Sequence, residues 1–122
     1  MPLITHSRHS GNVEILTLSG RLTLGDATAA FRETTRKLFE GGSDILVDVS
    51  GVDYMDSAGL GELVAAYASA SSRGRQMKLL RPVSKISQLL HVTKLYSTFE
   101  IFEDEAEALA SFSKTSVANS NG

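Results

Sequence analysis

Ser57 is the hydroxyl best placed for chemistry in this chain of 122 residues. It stands where a strand-like run gives way to a helical pattern, in VDYMDSAGLGEL (52–63), with Asp53 and Asp56 before it and Gly59 and Gly61 after it. A serine at a helix start meets free backbone N–H groups and the positive end of the dipole, which favours a phosphoryl group there. Asp56 and Ser57 also suit the cap that a strand-to-helix junction needs. A cap accounts for the Asp-Ser pair but not for two glycines, each of which weakens a helix by roughly 1 kcal/mol against alanine. Bare backbone beside a hydroxyl lets another protein's backbone approach closely. Two readings follow: an ordinary cap, or a contact and phosphoacceptor surface. In the second, modification alters docking more than folding, because a phosphate beside Asp53 and Asp56 adds like-charge repulsion.

Other reactive constellations are weak. A G-x-S-x-G nucleophile elbow needs glycine two residues before the serine, and Met55 is there instead. His6 and His9 fall on an opening strand and His91 near a helix end, so none is an evident base for Ser57. HSRH (6–9) is a poor metal pair without neighbouring acids in sequence. There is no G-x-x-x-x-G-K-[ST] phosphate loop. The absence of cysteine removes thiol nucleophiles, thiolate metal sites and disulfides. The residues point to a protein that is not an enzyme and needs no cofactor and no metal.

The elements that must position Ser57 are legible from periodicity. VEILTLSG (13–20) has the alternation and β-branching of a strand, and LITHSRH (3–9) is a partner strand across a Ser10-Gly11-Asn12 turn. GDATAAFRETTRKLFEGG (25–42) predicts a helix capped by Asp26, with Ala27, Ala30, Phe31, Thr34 and Leu38 inward. DILVDVS (44–50) is an apolar run suited to a strand covered on both faces. Helical spacing resumes from Ser57 to Arg73, with Leu60, Leu63, Val64, Tyr67 and Ala68 on one stripe. MKLL (77–80) is a strand, Pro82 opens a helix, FEIF (99–102) is a strand and DEAEALASF (104–112) a helix. The order ββαβαβαβα predicts a single α/β domain over 1–112, with a mixed, mostly parallel sheet. SKTSVANSNG (113–122) has no pattern and is expected to be a disordered tail.

Composition narrows the partners. With a formal net charge of −2 and scattered basic residues, the chain lacks the basic stripe of a nucleic-acid binder. No run reaches the roughly 20 apolar residues of a membrane span. The opening MPLITHSRHSG has no apolar signal core, so a cytoplasmic location is expected, with neither nucleic acid nor membrane as partner.

ILVDVSGVDYMDSAGLGELV (45–64) resembles the central block of the STAS family, specifically the anti-sigma factor antagonists. The likeness runs from Val13 to Phe112 and includes SGRLT (19–23), KLL (78–80) and LLHVTKLYSTFEIFEDEAEAL (89–109). The resemblance implies a partner-switching regulator. Unphosphorylated, it would bind an anti-sigma factor that is itself a serine kinase, freeing the sigma factor. That kinase would phosphorylate Ser57, and a serine phosphatase would restore it. Arg21, Thr23, Met55, Asp56, Ala58, Gly59, Leu60 and Gly61 would then contact the partner, with Gly59 and Gly61 letting the kinase close over Ser57. Many relatives carry G-E-L-D where this chain has Gly20-Arg21-Leu22-Thr23, which bears on partner choice. Ala58 replaces a serine often found after the phosphoacceptor, leaving Ser57 as the loop's one hydroxyl. The other reading is a STAS module without a kinase cycle, acting as a subunit of a signalling or lipid-transport assembly or as a small-ligand binder.

Overall fold

Strand β3 (Asp44–Met55) runs through the centre of the molecule, and every residue from Asp44 to Val49 is buried. It lies between β2 (Val13–Leu22) and β4 (Met77–Leu80), parallel to both. Strand β5 (Ile101–Phe102) extends the parallel part beyond β4, while β1 (Ile4–Ser10) pairs antiparallel with β2 at the other edge. The sheet order is β1-β2-β3-β4-β5. Helices α1 (Asp26–Glu40), α2 (Ser57–Ser72), α3 (Ser84–Val92) and α4 (Glu105–Ser120) follow β2, β3, β4 and β5 in turn. The single α/β domain and its ββαβαβαβα order are thus as the residue pattern predicts. This computed structural model describes residues 2–120, with side chains through Ser113.

Alternation along β3 divides the core between two faces. Ile45, Val47 and Val49 pack with Phe31 and Phe39 of α1, Leu63 and Ala66 of α2, and Ile86 and Leu90 of α3. Leu46 faces the other way, toward Val13, Ile15, Leu80, and Ala108 and Phe112 of α4. Each fully buried side chain of this size contributes roughly 1.5–3 kcal/mol. Tyr67 of α2 meets Phe99 edge-on at 5.3 Å, joining that helix to the segment before β5.

Several boundaries differ from the sequence expectation, each for a local reason. Strand β3 continues through Val52 to Met55, because β2 also extends and pairs with it as far as Leu22 and Met55. Helix α1 is capped by Gly25, at φ 121°, and Asp26 is its first residue. The Thr28 hydroxyl accepts from the Gly25 N–H at 3.2 Å, a role that displaces Asp26. The inward stripe of α1 is Thr28, Phe31, Thr35 and Phe39, about one position round from the expected set, and Ala30 is exposed. On α2, Ala66 and Ala70 are buried while Ala68 is exposed. Pro82 lies outside α3, which Val83 caps without a side-chain bond. The last strand shrinks to Ile101–Phe102, and Phe99 packs in the core instead. The backbone of α4 runs on to Ser120, past the expected domain limit at residue 112. The expected tail otherwise lies outside the described residues: side chains from 114 and residues 121–122 are not among them.

Candidate functional site

The parallel register of β2 and β3 creates the site. Leu22 stands opposite Met55 where both strands end, so the loop into α1 and the loop into α2 lie side by side. Asp56 ties them together. Its backbone is extended (φ −96°, ψ −177°) and its Oδ1 accepts from the Gly59 N–H at 2.8 Å, capping α2. Its Oδ2 accepts from the Leu24 N–H, in the neighbouring loop, at 3.0 Å. Those two backbone donors, Leu24 first and Gly59 second, hold the Asp56 carboxyl below the usual carboxylate range, because they favour its charged form.

Ser57 follows as the first residue of α2, exposed, with no hydrogen bond from its hydroxyl among the described residues. The expected cap role therefore falls to Asp56 alone, and the serine oxygen is left facing solvent.

The two glycines separate. Gly61 is exposed, and a Cβ there would meet nothing within 4 Å, so this part of the surface is bare as expected. Gly59 is buried, and a Cβ there would lie 2.0 Å from the Leu22 carbonyl oxygen. That corrects the expectation that Gly59 is an accessible contact: it lets the first turn of α2 rest against the end of β2. Met55 and Leu60 are likewise core residues, 6% and 8% exposed: Leu60 offers almost no surface for direct contact, and Met55 only the part that lines a notch beside α3. Of the remaining expected contacts, Arg21 is exposed with Gly61, while Thr23, Asp56 and Ala58 are half-buried.

Other residues at this end of the sheet were not singled out by sequence. Leu24 is 79% exposed on the loop that Asp56 holds. Tyr54 is partly exposed, with the Arg21 guanidinium 4.5 Å from its ring centre and Lys85 Nζ at 5.2 Å. An irregularity in the β2–β3 pairing between Gly20 and Arg21 precedes the Arg21–Tyr54 pair, and such bulges re-aim side chains. Leu24 was visible as a lone apolar residue in a turn; the pairing of Lys85 with Tyr54 depends on how α3 packs.

The histidines remain away from Ser57. His6 and His9 are on β1, and the hairpin pairs His9 with Glu14, five residues on, bringing His9 Nδ1 to 2.6 Å from its carboxylate. His91 stacks on Tyr96, ring centres 4.1 Å apart, at the end of α3. Among the described residues no group of three or more histidine, aspartate and glutamate side chains could hold a metal ion. No helix among them is long and apolar enough to cross a membrane.

A parallel sheet with one antiparallel edge, four helices and an exposed serine opening α2 define an α/β domain of recognisable class. The chain belongs to the STAS domain family: residues 5–100 match the family model described as Mlab, STAS domain. It is 31% identical over 70 residues to the anti-sigma-B factor antagonist of Bacillus subtilis strain 168, a stretch covering 57% of this chain and 64% of that protein. Its fold is similar to a Thermotoga maritima crystal structure provisionally described as an anti-sigma factor antagonist, with TM-score 0.82 and 24% identity over 88% of this chain and 93% of that one. It is also similar to the phosphorylated form of Bacillus SpoIIAA, with TM-score 0.70 and 17% identity over 88% of this chain and 97% of that one.

Proposed function

We propose that this protein is an anti-sigma factor antagonist whose docking surface is switched by phosphorylation of Ser57. The observation that carries the reading is the exposed hydroxyl at the first residue of α2, on a junction held rigid by Asp56 and Gly59. The sequence similarity to an anti-sigma-B factor antagonist supports it. In its unphosphorylated form the protein binds an anti-sigma factor serine kinase in the cytoplasm and frees the sigma factor. The kinase transfers a phosphoryl group to Ser57, and a serine phosphatase removes it. The protein itself supplies no catalytic group.

The physical switch is charge. A phosphoserine carries about −1.5 to −2 charges at neutral pH. At Ser57 it arrives beside Asp56, whose carboxylate already occupies the Gly59 and Leu24 N–H donors. The phosphate therefore meets a like charge and a helix start already capped. Desolvating it in an interface costs several kcal/mol. At about 1.4 kcal/mol per tenfold, binding falls by about 100-fold or more.

The test is affinity for purified anti-sigma factor kinases of the source organism before and after ATP, with the modified residue located by mass spectrometry. Ser57→Ala is expected to bind and to resist release, and Ser57→Asp to imitate the phosphorylated form in part. Phosphate on another residue, or unchanged affinity with Ser57 fully phosphorylated, favours the second reading, a STAS subunit without a kinase cycle. That reading has one observation of its own: the matching family model is described by Mlab, not by an anti-sigma factor antagonist.

A further inference from the structure

Beside the Ser57 junction lies a notch of about 410 Å³ between the end of β3 and α3. Met55, Ile86 and Leu89 form its apolar floor, and Tyr54, Lys85 and Val92 stand at its rim. Val92 is 75% exposed, an apolar side chain left in water by the fold itself. At the Tyr54 corner two cations converge on one ring, Arg21 from β2 and Lys85 from α3. Among the described residues neither has an acidic side chain within ion-pair distance, although Arg8, Arg32, Arg36 and Arg81 each have one. Two exposed cations beside one ring repel only weakly through water, and an anion placed near both turns that repulsion into attraction.

We propose that this notch seats an apolar side chain of the anti-sigma partner, with a neighbouring carboxylate of that partner placed between Arg21 and Lys85. The proposal rests on the antagonist reading and adds the partner's chemistry to it: a segment in which an acid accompanies an apolar anchor. Charge complementarity selects an acidic segment, and the apolar lining of the notch selects an apolar side chain beside it. Continuity favours the same partner, since Met55 in the floor is followed directly by Asp56 and Ser57. One docked surface would thus cover both the notch and the hydroxyl. Arg21 and Lys85 would steer the partner's acid to the notch while Ser57 decides whether the contact closes.

The experiment is calorimetric titration of the intact protein with each purified anti-sigma factor kinase of the source organism. Arg21→Glu and Lys85→Glu are each expected to weaken binding by about tenfold or more, because a cation has become a like charge facing the acid. Both sites are exposed, so melting temperatures are expected to stay near that of the native chain. Val92→Asp should weaken binding similarly. Raising salt from about 50 to about 300 mM should weaken the native complex and change the double charge variant little. A partner acid-to-lysine change that restores the Lys85→Glu variant identifies the carboxylate. If both charge variants bind like the native chain while phosphorylation of Ser57 still breaks the complex, this inference fails and the switch stands. If no such kinase binds the unphosphorylated protein, the antagonist reading fails and the inference with it. ATP alone perturbing the resonances of Tyr54 and Lys85, or a self-association that Lys85→Glu abolishes, would assign the notch to another occupant and overturn the proposal.

Discussion

Two strand-to-helix junctions leave the same end of the parallel strands, and they are built differently. At the β4–α3 junction Arg81 adopts φ 53°, Pro82 follows, and Val83 caps the helix with no side-chain hydrogen bond. At the β3–α2 junction an aspartate caps the helix, the same carboxylate anchors the neighbouring loop, and a buried glycine brings the helix against β2. A crossover connection needs only the first kind of turn. The second kind holds Ser57 at a defined place while leaving its hydroxyl free, and that rigidity has no structural purpose at the serine itself. Preorganisation lowers the ordering penalty when a partner docks.

Changing one junction toward the other tests this contrast. The largest effect is expected from Gly59→Ala, whose methyl group cannot fit beside the Leu22 carbonyl oxygen. Overpacking against backbone predicts a loss of about 3 kcal/mol. In a domain of this size that lowers the melting temperature by roughly 10 °C. A melting curve like the native one would mean that the first turn of α2 can move away from β2, and that the junction is softer than its geometry.

Asp56→Ala comes next, removing the cap and the tie to Leu24 together. Melting should fall by several degrees, and amide exchange should rise at Leu24 as well as Gly59. Its pH dependence has a defined sign. The folded carboxyl titrates below its unfolded value, so its contribution is complete above about pH 4 and fades as pH falls through the lower folded value. The native chain and the variant should therefore differ at neutral pH and converge in acid. A gap that stays constant down to pH 2 would show that the charge is not what holds the tie.

Smaller changes go in the stabilising direction. Val83→Ser supplies α3 with the side-chain cap it lacks, and should raise stability by about 0.5–1 kcal/mol, read from chemical denaturation. Gly61→Ala should add at most about 1 kcal/mol, because the site is open and alanine favours helix. The informative comparison is Gly61→Leu. It should fold as well as Gly61→Ala yet bind the partner kinase less tightly, if the bare backbone at Gly61 is a contact. Equal binding by the alanine and leucine variants would remove Gly61 from the docking surface.

The contrast between the two junctions was partly visible in the residues. Asp56 and Ser57 after an apolar strand announce a capped helix start, and Pro82 announces a different kind of start, though two positions before the helix begins. Helix propensity treats the two glycines alike, and sequence alone assigns both to an outside surface. Their difference comes from β2, a strand more than thirty residues earlier, whose carbonyl lies under Gly59 and not under Gly61. The one-position rotation of α1 has the same origin: Thr28 and Thr35 are polar by composition, yet the face that meets the sheet is chosen by packing around Phe31 and Phe39.

By itself the sequence determined the order of elements, the doubly covered β3, and the placing of Ser57 at the start of α2. Those follow from side-chain periodicity and turn chemistry within a short window. Tertiary structure alone decided that Gly59 is internal, that Asp56 reaches across to Leu24, and that Arg21 and Lys85 share the ring of Tyr54. Each of those is a contact between segments distant in the chain. Strand register and helix packing create such contacts, and no local pattern of residue types encodes them.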